Sequence, residues 1–344
     1  MTDVINVNSV HRSFTVLERE AGLRGAWKDL TSRRKQVVEA VRDVSFSAQQ
    51  GERIGLIGPN GAGKSTTIKM LIGVLRATSG DIEVLGFDPF HGGNSFRRQL
   101  GVVFGQRNTL FWDIPVIDTF DALRHIYGIP KSDFDARLDV LKATTKLDDL
   151  LLTPARTLSL GQRMLCNIAA SMLHNPRMLL LDEPTIGLDL AVKGAMIELL
   201  RDMADTDGCT VLLSSHDMSD IEELCDRVIV IDRGRIIFDG ATHDLRDLFG
   251  RRRELSFQIA DPGSVSTSPG QLLNGLPVEA QDLGDQGWRI KFDAATISLE
   301  ALLVRLLGDL QVDELRVEEP SIQAVVRQIY EGRPVDSNPS AGTG

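Results

Sequence analysis

Nothing in this chain is apolar for long enough to cross a bilayer as a helix, which takes about 18 residues. The longest apolar runs, such as Met178–Leu181 and Val228–Ile231, have the length of strands. The opening residues Met1-Thr2-Asp3-Val4 lack the basic region and apolar stretch of a secretory leader. The expected location is therefore the cytoplasm, and any work at a membrane needs a partner that supplies the spanning helices. Cysteine is scarce. Cys166, Cys209 and Cys225 are scattered and form no CxxC pair, which fits packing roles in a reducing compartment. No His/Cys cluster has metal-ligand spacing, which argues against a transition-metal site. Positive charge is also short, with 38 Lys and Arg against 48 Asp and Glu and a net charge of -10 at pH 7. A chain whose main business is gripping a phosphate backbone carries a basic face. Direct nucleic acid binding is therefore not expected, although a local basic pocket stays compatible with that balance.

What is there describes a globular protein of two unequal domains: 344 residues, 42% hydrophobic and 25% charged. Residues 4–16 and 37–48 read as strands. Ile54–Ile57 is a short buried strand that runs into a glycine-rich turn and a helix from Lys64. Short apolar strands at Val102–Phe104, Met178–Leu181, Val211–Leu213 and Val228–Ile231 then alternate with helical patterns. That alternation predicts an α/β core, a mostly parallel sheet covered by helices. Between about 116 and 172 Leu, Ile and Ala recur at spacings of three and four, which predicts a helical subdomain inserted in the core. The polar stretch 17–36 reads as an insertion between the first two strands. It holds six Arg and Lys against Glu18, Glu20 and Asp29, with Leu23, Trp27 and Leu30 at helical spacing. Such a segment is either a solvated loop or a basic amphipathic turn near an anionic leaflet. The first domain is placed at 1–248. A second, at 250–332, reads strand, helix, paired strands (about 278–292), helix (298–308) and strand (312–317), the order of a small α+β ferredoxin-like unit. A last helix follows Pro320. Residues 333–344 lack the means to bury a core and form a disordered tail.

Gly58-Pro59-Asn60-Gly61-Ala62-Gly63-Lys64-Ser65 fits G-x-x-x-x-G-K-[ST] without a mismatch, and Thr66 follows it. Glycines let the backbone turn tightly and bring N–H groups up to phosphates, and the helix start adds its positive end. Lys64 reaches the terminal phosphates and the Ser65 hydroxyl can ligate Mg²⁺. The strand before and the helix after are the context this motif requires, and a nucleoside triphosphate is the ligand it predicts. Met178-Leu179-Leu180-Leu181-Asp182-Glu183 is a buried strand ending in two carboxylates. Asp182 at the strand tip can hold Mg²⁺, and Glu183, pointing the other way, can orient and deprotonate a water. Alone, an apolar run ending in Asp-Glu is as readily a solvated strand end.

Leu158-Ser159-Leu160-Gly161-Gln162 opens a helix upstream of Asp182. Gln106 follows the strand Val102–Phe104, Gly187-Leu188-Asp189 follows Glu183, and His216 follows Val211–Leu213 in Ser214-Ser215-His216-Asp217. These residues, in this order, resemble the ABC (ATP-binding cassette) ATPase family over roughly residues 4–246. Gly58–Ser65 matches its Walker A motif, Gln106 its Q-loop and Leu158–Gln162 its signature. Asp182–Glu183 matches Walker B and the catalytic glutamate, Asp189 the D-loop, and His216 the switch histidine. The family signature reads Leu-Ser-Gly-Gly-Gln, and here Leu160 replaces the first glycine. A leucine is tolerated there if its side chain points away from the nucleotide and its backbone needs no positive φ. The best match to the aromatic that family members stack on adenine is Phe14, which also suits a plain core position.

The resemblance implies an ABC cassette with an antiparallel β subdomain beside the parallel core and the helical subdomain. It implies ATP and Mg²⁺ as ligands, with the ion on Ser65, Gln106 and Asp182. It further implies two copies, or two paired ABC subunits, facing each other head to tail, each ATP lying between one cradle and the opposite Ser159–Gln162. Glu183, His216 and Gln106 then act on the water and the transferred group. Leu110, Phe111 and Trp112 stand where family members meet a membrane partner's coupling helices, or else pack the helical subdomain. The insertion, the Leu-Ser-Leu-Gly-Gln variant and the small second domain are together similar to cytosolic ATPases of ABC-2-type exporters, peripheral on the inner face of the membrane through a permease. The alternative is a soluble ABC machine working on nucleic acid or ribosomes, although such chains carry tandem cassettes, coiled coils or zinc modules. A GTPase reading of Thr145-Lys146-Leu147-Asp148 lacks the Asp-x-x-Gly that would have to precede it. An idle scaffold is opposed by Glu183 and His216.

Overall fold

The structure, a computed structural model, describes residues 3–17, 35–105, 107–145, 147–215, 218–244, 252–260, 268–284, 286–294 and 296–318. The 17–36 insertion beyond its ends, the helix after Pro320 and the tail at 333–344 lie outside the described residues. Contacts divide the chain into Met1–Thr242 and His243–Gly344.

In the first unit, β1 (Asp3–Leu17) and β2 (Lys35–Gln49) pair antiparallel. β3 (Arg53–Ile57) leads through a glycine-rich loop into α1 (Lys64–Leu71), and β4 (Ser79–Val84) returns to pair antiparallel with β1. This gives a three-stranded antiparallel sheet in the order β2-β1-β4. After the short α2 (Gly93–Arg97) comes β5 (Leu100–Phe104). Four helices follow: α3 (Val116–Tyr127), α4 (Lys131–Thr144), α5 (Asp148–Leu151) and, after a 3-10 turn, α6 (Leu160–Met172). α3 and α4 end where Gly128 turns left-handed and Thr145 becomes extended, and their inner faces bury Phe120, Phe134, Leu138 and Leu141.

β6 (Met178–Asp182), α7 (Leu190–Asp207), β7 (Thr210–Ser214), α8 (Met218–Leu224), β8 (Arg227–Asp232) and β9 (Arg235–Ala241) complete the unit. The main sheet runs β5-β6-β7-β3-β8-β9, parallel throughout except for β9, which pairs antiparallel with β8. The middles of its inner strands are unbroken apolar runs because both faces are covered; Leu179, Leu180, Leu212 and Ile229 are fully buried. The strand ends at Ile57, Asp182 and Ser214 share one edge, where ligands of open α/β sheets sit.

Within the second unit β10 (Arg252–Ile259), α9 (Pro269–Leu272), β11 (Val278–Gly284), β12 (Gly287–Asp293), α10 (Leu299–Asp309) and β13 (Val312–Glu318) form an antiparallel sheet in the order β11-β12-β10-β13. That is the ferredoxin-like order expected from the sequence. Leu255, Phe257, Ile290, Phe292, Leu302 and Leu306 make its core.

All three cysteines are free and buried. Burial pushes the Cys166 and Cys209 thiols up to about 12 and Cys225 higher still. Since only the thiolate reacts, the folded protein at pH 8 is expected to resist a disulfide-forming thiol reagent at all three positions and to react fully in denaturant. Rapid reaction of the native protein would contradict this packing.

Candidate active site

The loop between β3 and α1 can be made only with glycine at its tightest points. Gly63 has φ +114, and a Cβ there would stand 2.6 Å from the Ala40 carbonyl oxygen. A Cβ on Gly58 would come within 2.2 Å of the Ile231 carbonyl oxygen. The loop is thereby pressed between the β2 and β8 backbones. α1 then begins with no side-chain cap and no acid in its first turn, so its positive end is left for a ligand. Lys64 is 5% exposed, which a lone cation does not tolerate. Its Nζ donates to the Gly58 carbonyl at 2.6 Å and stands 3.4 Å from Glu183 Oε1.

Asp182 ends β6 beside this loop. Its Oδ1 accepts from Ser65 Oγ at 3.1 Å and from Ser214 Oγ at 2.7 Å. The Glu183 N–H donates to the Ser214 carbonyl and hydroxyl. Strand alternation predicts the Glu183 side chain on the opposite side from Asp182. Instead Glu183 has φ +54, a left-handed turn that costs a non-glycine residue roughly 1–3 kcal/mol. It breaks the alternation, and both carboxylates face Lys64 and Ser65.

Together these groups border a cleft of about 1020 Å³, large enough for a nucleotide. Residues 58–66, Lys69, Phe104, Gly105, Asp182 and Glu183 line it, joined by Ala40, Arg107 and Ile186. Pro59, Asn60, Gly61, Ala62 and Thr66 are among that lining. Its chemistry is an anion cradle with a cation at its centre and two carboxylates on one wall. Among the described residues no group of three or more His, Cys, Asp or Glu side chains could hold a metal alone. The hard oxygens of Ser65 and Asp182 nevertheless fit Mg²⁺, whose remaining ligands would come from phosphate and water.

Gln106 and His216 lie outside the described residues; their chain neighbours Gly105 and Ser215 follow β5 and β7. Ser159 is brought to a different place. It caps α6, its hydroxyl accepting from the Gln162 N–H at 3.2 Å while Gln162 Oε1 accepts from the Ser159 N–H at 2.9 Å, a reciprocal capping box. Ser159 and Leu160 are exposed and do not line the cleft. Leu160 is the first residue of α6 and not among the left-handed residues, so the leucine carries no backbone strain. Its Cδ2 lies 3.0 Å from where a Cβ on Gly187 would stand, and Gly161 is buried against Val192. Asp189 caps α7 by accepting from the Val192 N–H at 3.0 Å.

Phe14 sits on β1 opposite Val38 of β2, with the Arg12 guanidinium 4.5 Å above its ring. It lies outside the cleft lining, which β2 reaches at Ala40. Thr145 is buried between α4 and α5 and donates to the Leu141 carbonyl, remote in role from any base-reading site. Leu110 is buried, whereas Phe111 and Trp112 are 48% and 49% exposed. Arg163 of α6 lies 4.7 Å from the Trp112 ring. Arg107 and Ser214 were not anticipated as site residues, and nothing in their local sequence marks them.

Residues 41–186 match the protein family described as ABC transporter. The chain is 34% identical over 212 residues to the ABC transporter ATP-binding protein NatA of Bacillus subtilis, covering 62% of this chain and 86% of that one. It is 36% identical over 206 residues to the Nod factor export ATP-binding protein I of Ralstonia nicotianae, covering 60% of this chain and 63% of that relative. Among solved structures, that of an ATP-binding subunit of an ABC transporter superposes with a TM-score of 0.59 at 26% identity, over 72% of this chain and 93% of the other.

Proposed function

This chain belongs to the ABC transporter ATP-binding family and hydrolyses ATP, and from that premise we propose that it powers an ABC-2-type exporter through a separate membrane-embedded permease. One observation carries the reading. Lys64, Ser65, Asp182 and Glu183 meet in one cleft, while Ser159 is presented at another helix start outside it. A second copy, or a paired ABC subunit, turned head to tail supplies the missing half.

In this reading the Gly58–Ser65 backbone and Lys64 bind the phosphates of ATP. Ser65, Gln106 and Asp182 would hold Mg²⁺, which when bound would neutralise charge at the phosphate oxygens. Glu183 takes the proton of the attacking water, and His216 orients the transferred group. Ser159, Gly161 and Gln162 of the second copy close on the terminal phosphate, with Asp189 beside them. ATP thus favours the closed pair, and hydrolysis withdraws that bias. Phe14 stacks on the adenine, with Arg12 covering the other ring face. The first domain ends near 242–248, the helical subdomain spans about 116–172, and the exposed Phe111 and Trp112 take the permease. A relative named for Nod factor export supports the direction of transport. The alternative of a nucleic-acid or ribosomal machine has the net charge of -10 against it.

The test has two arms. With ATP the slowly hydrolysing Glu183→Gln variant is expected to sediment as a dimer, and removal of ATP should return it to monomer. Co-expressed with an ABC-2-type permease, the chain should fractionate with membranes, and Phe111→Asp with Trp112→Asp should release it. A monomer under every nucleotide condition would defeat the paired motor. Failure to reach membranes with that partner present would defeat the transport role alone.

A further inference from the structure

Outside the cleft, the described residues hold a buried carboxylate that the hydrolytic scheme above does not use. Asp220, on α8, is fully buried. Its Oδ2 accepts from Thr185 Oγ1 at 2.5 Å and from Ser215 Oγ at 3.1 Å, and its Oδ1 lies 2.7 Å from Lys193 Nζ. Thr185 and Ser215 are buried and Lys193 is nearly so. An ionised carboxylate survives in such surroundings only when hydrogen-bonded and paired, and this one has two hydroxyl donors and a cation.

The partners belong to three different chain segments. Thr185 follows Glu183 by two residues at the end of β6. Lys193 stands in the first turn of α7, the helix capped by Asp189. Ser215 leaves β7 immediately before His216. None of the four lines the cleft. We propose that Asp220 is a positioning residue for hydrolysis: its carboxylate fixes, relative to one another, the Glu183 segment, the Asp189-capped helix and the approach to His216. The proposal rests on Glu183 as base. Because Glu183 has a left-handed backbone and is held through its N–H by Ser214, its side chain depends on where the following residues are anchored, and Thr185 is that anchor. Misplacing a catalytic group by about 1 Å costs on the order of a hundredfold in rate.

The experiment measures steady-state phosphate release, binding of a fluorescent ATP analogue and the thermal midpoint for Asp220→Asn, Thr185→Val and Asp220→Asn with Lys193→Met. Asp220→Asn is expected to lower kcat about ten- to a hundredfold, with KM and analogue affinity within a few-fold of the parent, because the phosphate loop is untouched. Thr185→Val removes one donor without changing volume and should lower kcat in the same direction with little thermal cost. Adding Lys193→Met removes the orphaned cation and should restore the thermal midpoint but not kcat. Recovery of kcat along with the midpoint would make Asp220 merely structural and overturn the proposal. So would a kcat for Thr185→Val and Asp220→Asn equal to the parent's. A Glu183→Gln control run beside them separates the readings: undiminished turnover there removes the base, whatever Asp220 does.

Discussion

Glu183→Gln is expected to bind ATP as tightly as the parent and to hydrolyse it about 10²–10⁴-fold more slowly, the range contributed by a positioned general base. The substitution keeps the side chain's length and volume, so the cleft, with Lys64, Ser65 and Asp182 in it, keeps its shape. What changes is chemical, since an amide has no basic oxygen to take a proton from water. It also loses the negative charge 3.4 Å from Lys64 Nζ, which leaves more of that cation's field for the phosphates, so affinity should hold or rise. Titration with a fluorescent ATP analogue and phosphate release on the same preparation make the measurement. Turnover within a few-fold of the parent would move the base to another residue. Loss of binding would mean that Glu183 shapes the cradle more than it serves the chemistry.

Much of this site is legible in the sequence because its residues are consecutive. Gly58–Ser65 is one loop whose spacing is read directly, although what its glycines satisfy is only partly local: φ at Gly63, but the distant Ile231 backbone at Gly58. The parallel strands were equally readable, since burial on both faces makes Met178–Leu181 and Val228–Ile231 unbroken apolar runs. β4 and β9 are not legible, for the converse reason. Ser79-Gly80-Asp81-Ile82-Glu83-Val84 is mostly exposed, and Arg235–Ala241 alternates between exposed and half-buried at the sheet edge, so neither makes an apolar run. The direction of Glu183 is not legible because the strand's period of two ends one residue earlier, at a left-handed φ that composition does not announce. Contacts closed over long separations are silent in sequence. Ser214 reaches Asp182 from 32 residues away and Thr185 reaches Asp220 from 35, and a serine or a threonine next to a strand end is ordinary until the fold brings it to a carboxylate.

The second large effect concerns where Ser159 acts. Lys64→Ala removes the cation at the centre of the cradle, and Ser159→Arg places a long cation at the exposed start of α6, away from the same chain's cleft. Each variant alone should be nearly inactive, the first for want of charge on the phosphates, the second because its helix start no longer closes on them. Both should fold, since the cap at Ser159 contributes only about 1 kcal/mol and Lys64→Ala leaves the glycine turns intact. Mixed in equal amounts, the two dead proteins should recover activity. In a mixed pair one ATP lies between an intact cradle and an intact Ser159, while the other site carries both defects. Random pairing makes half the dimers mixed, each with one working site, so about a quarter of parental turnover per chain is expected. Light scattering on the same mixture checks that pairing occurs. Pairing without recovered turnover would place Ser159 on its own chain's nucleotide and remove the head-to-tail arrangement, whereas recovery requires that a phosphate bound by one chain be completed by another.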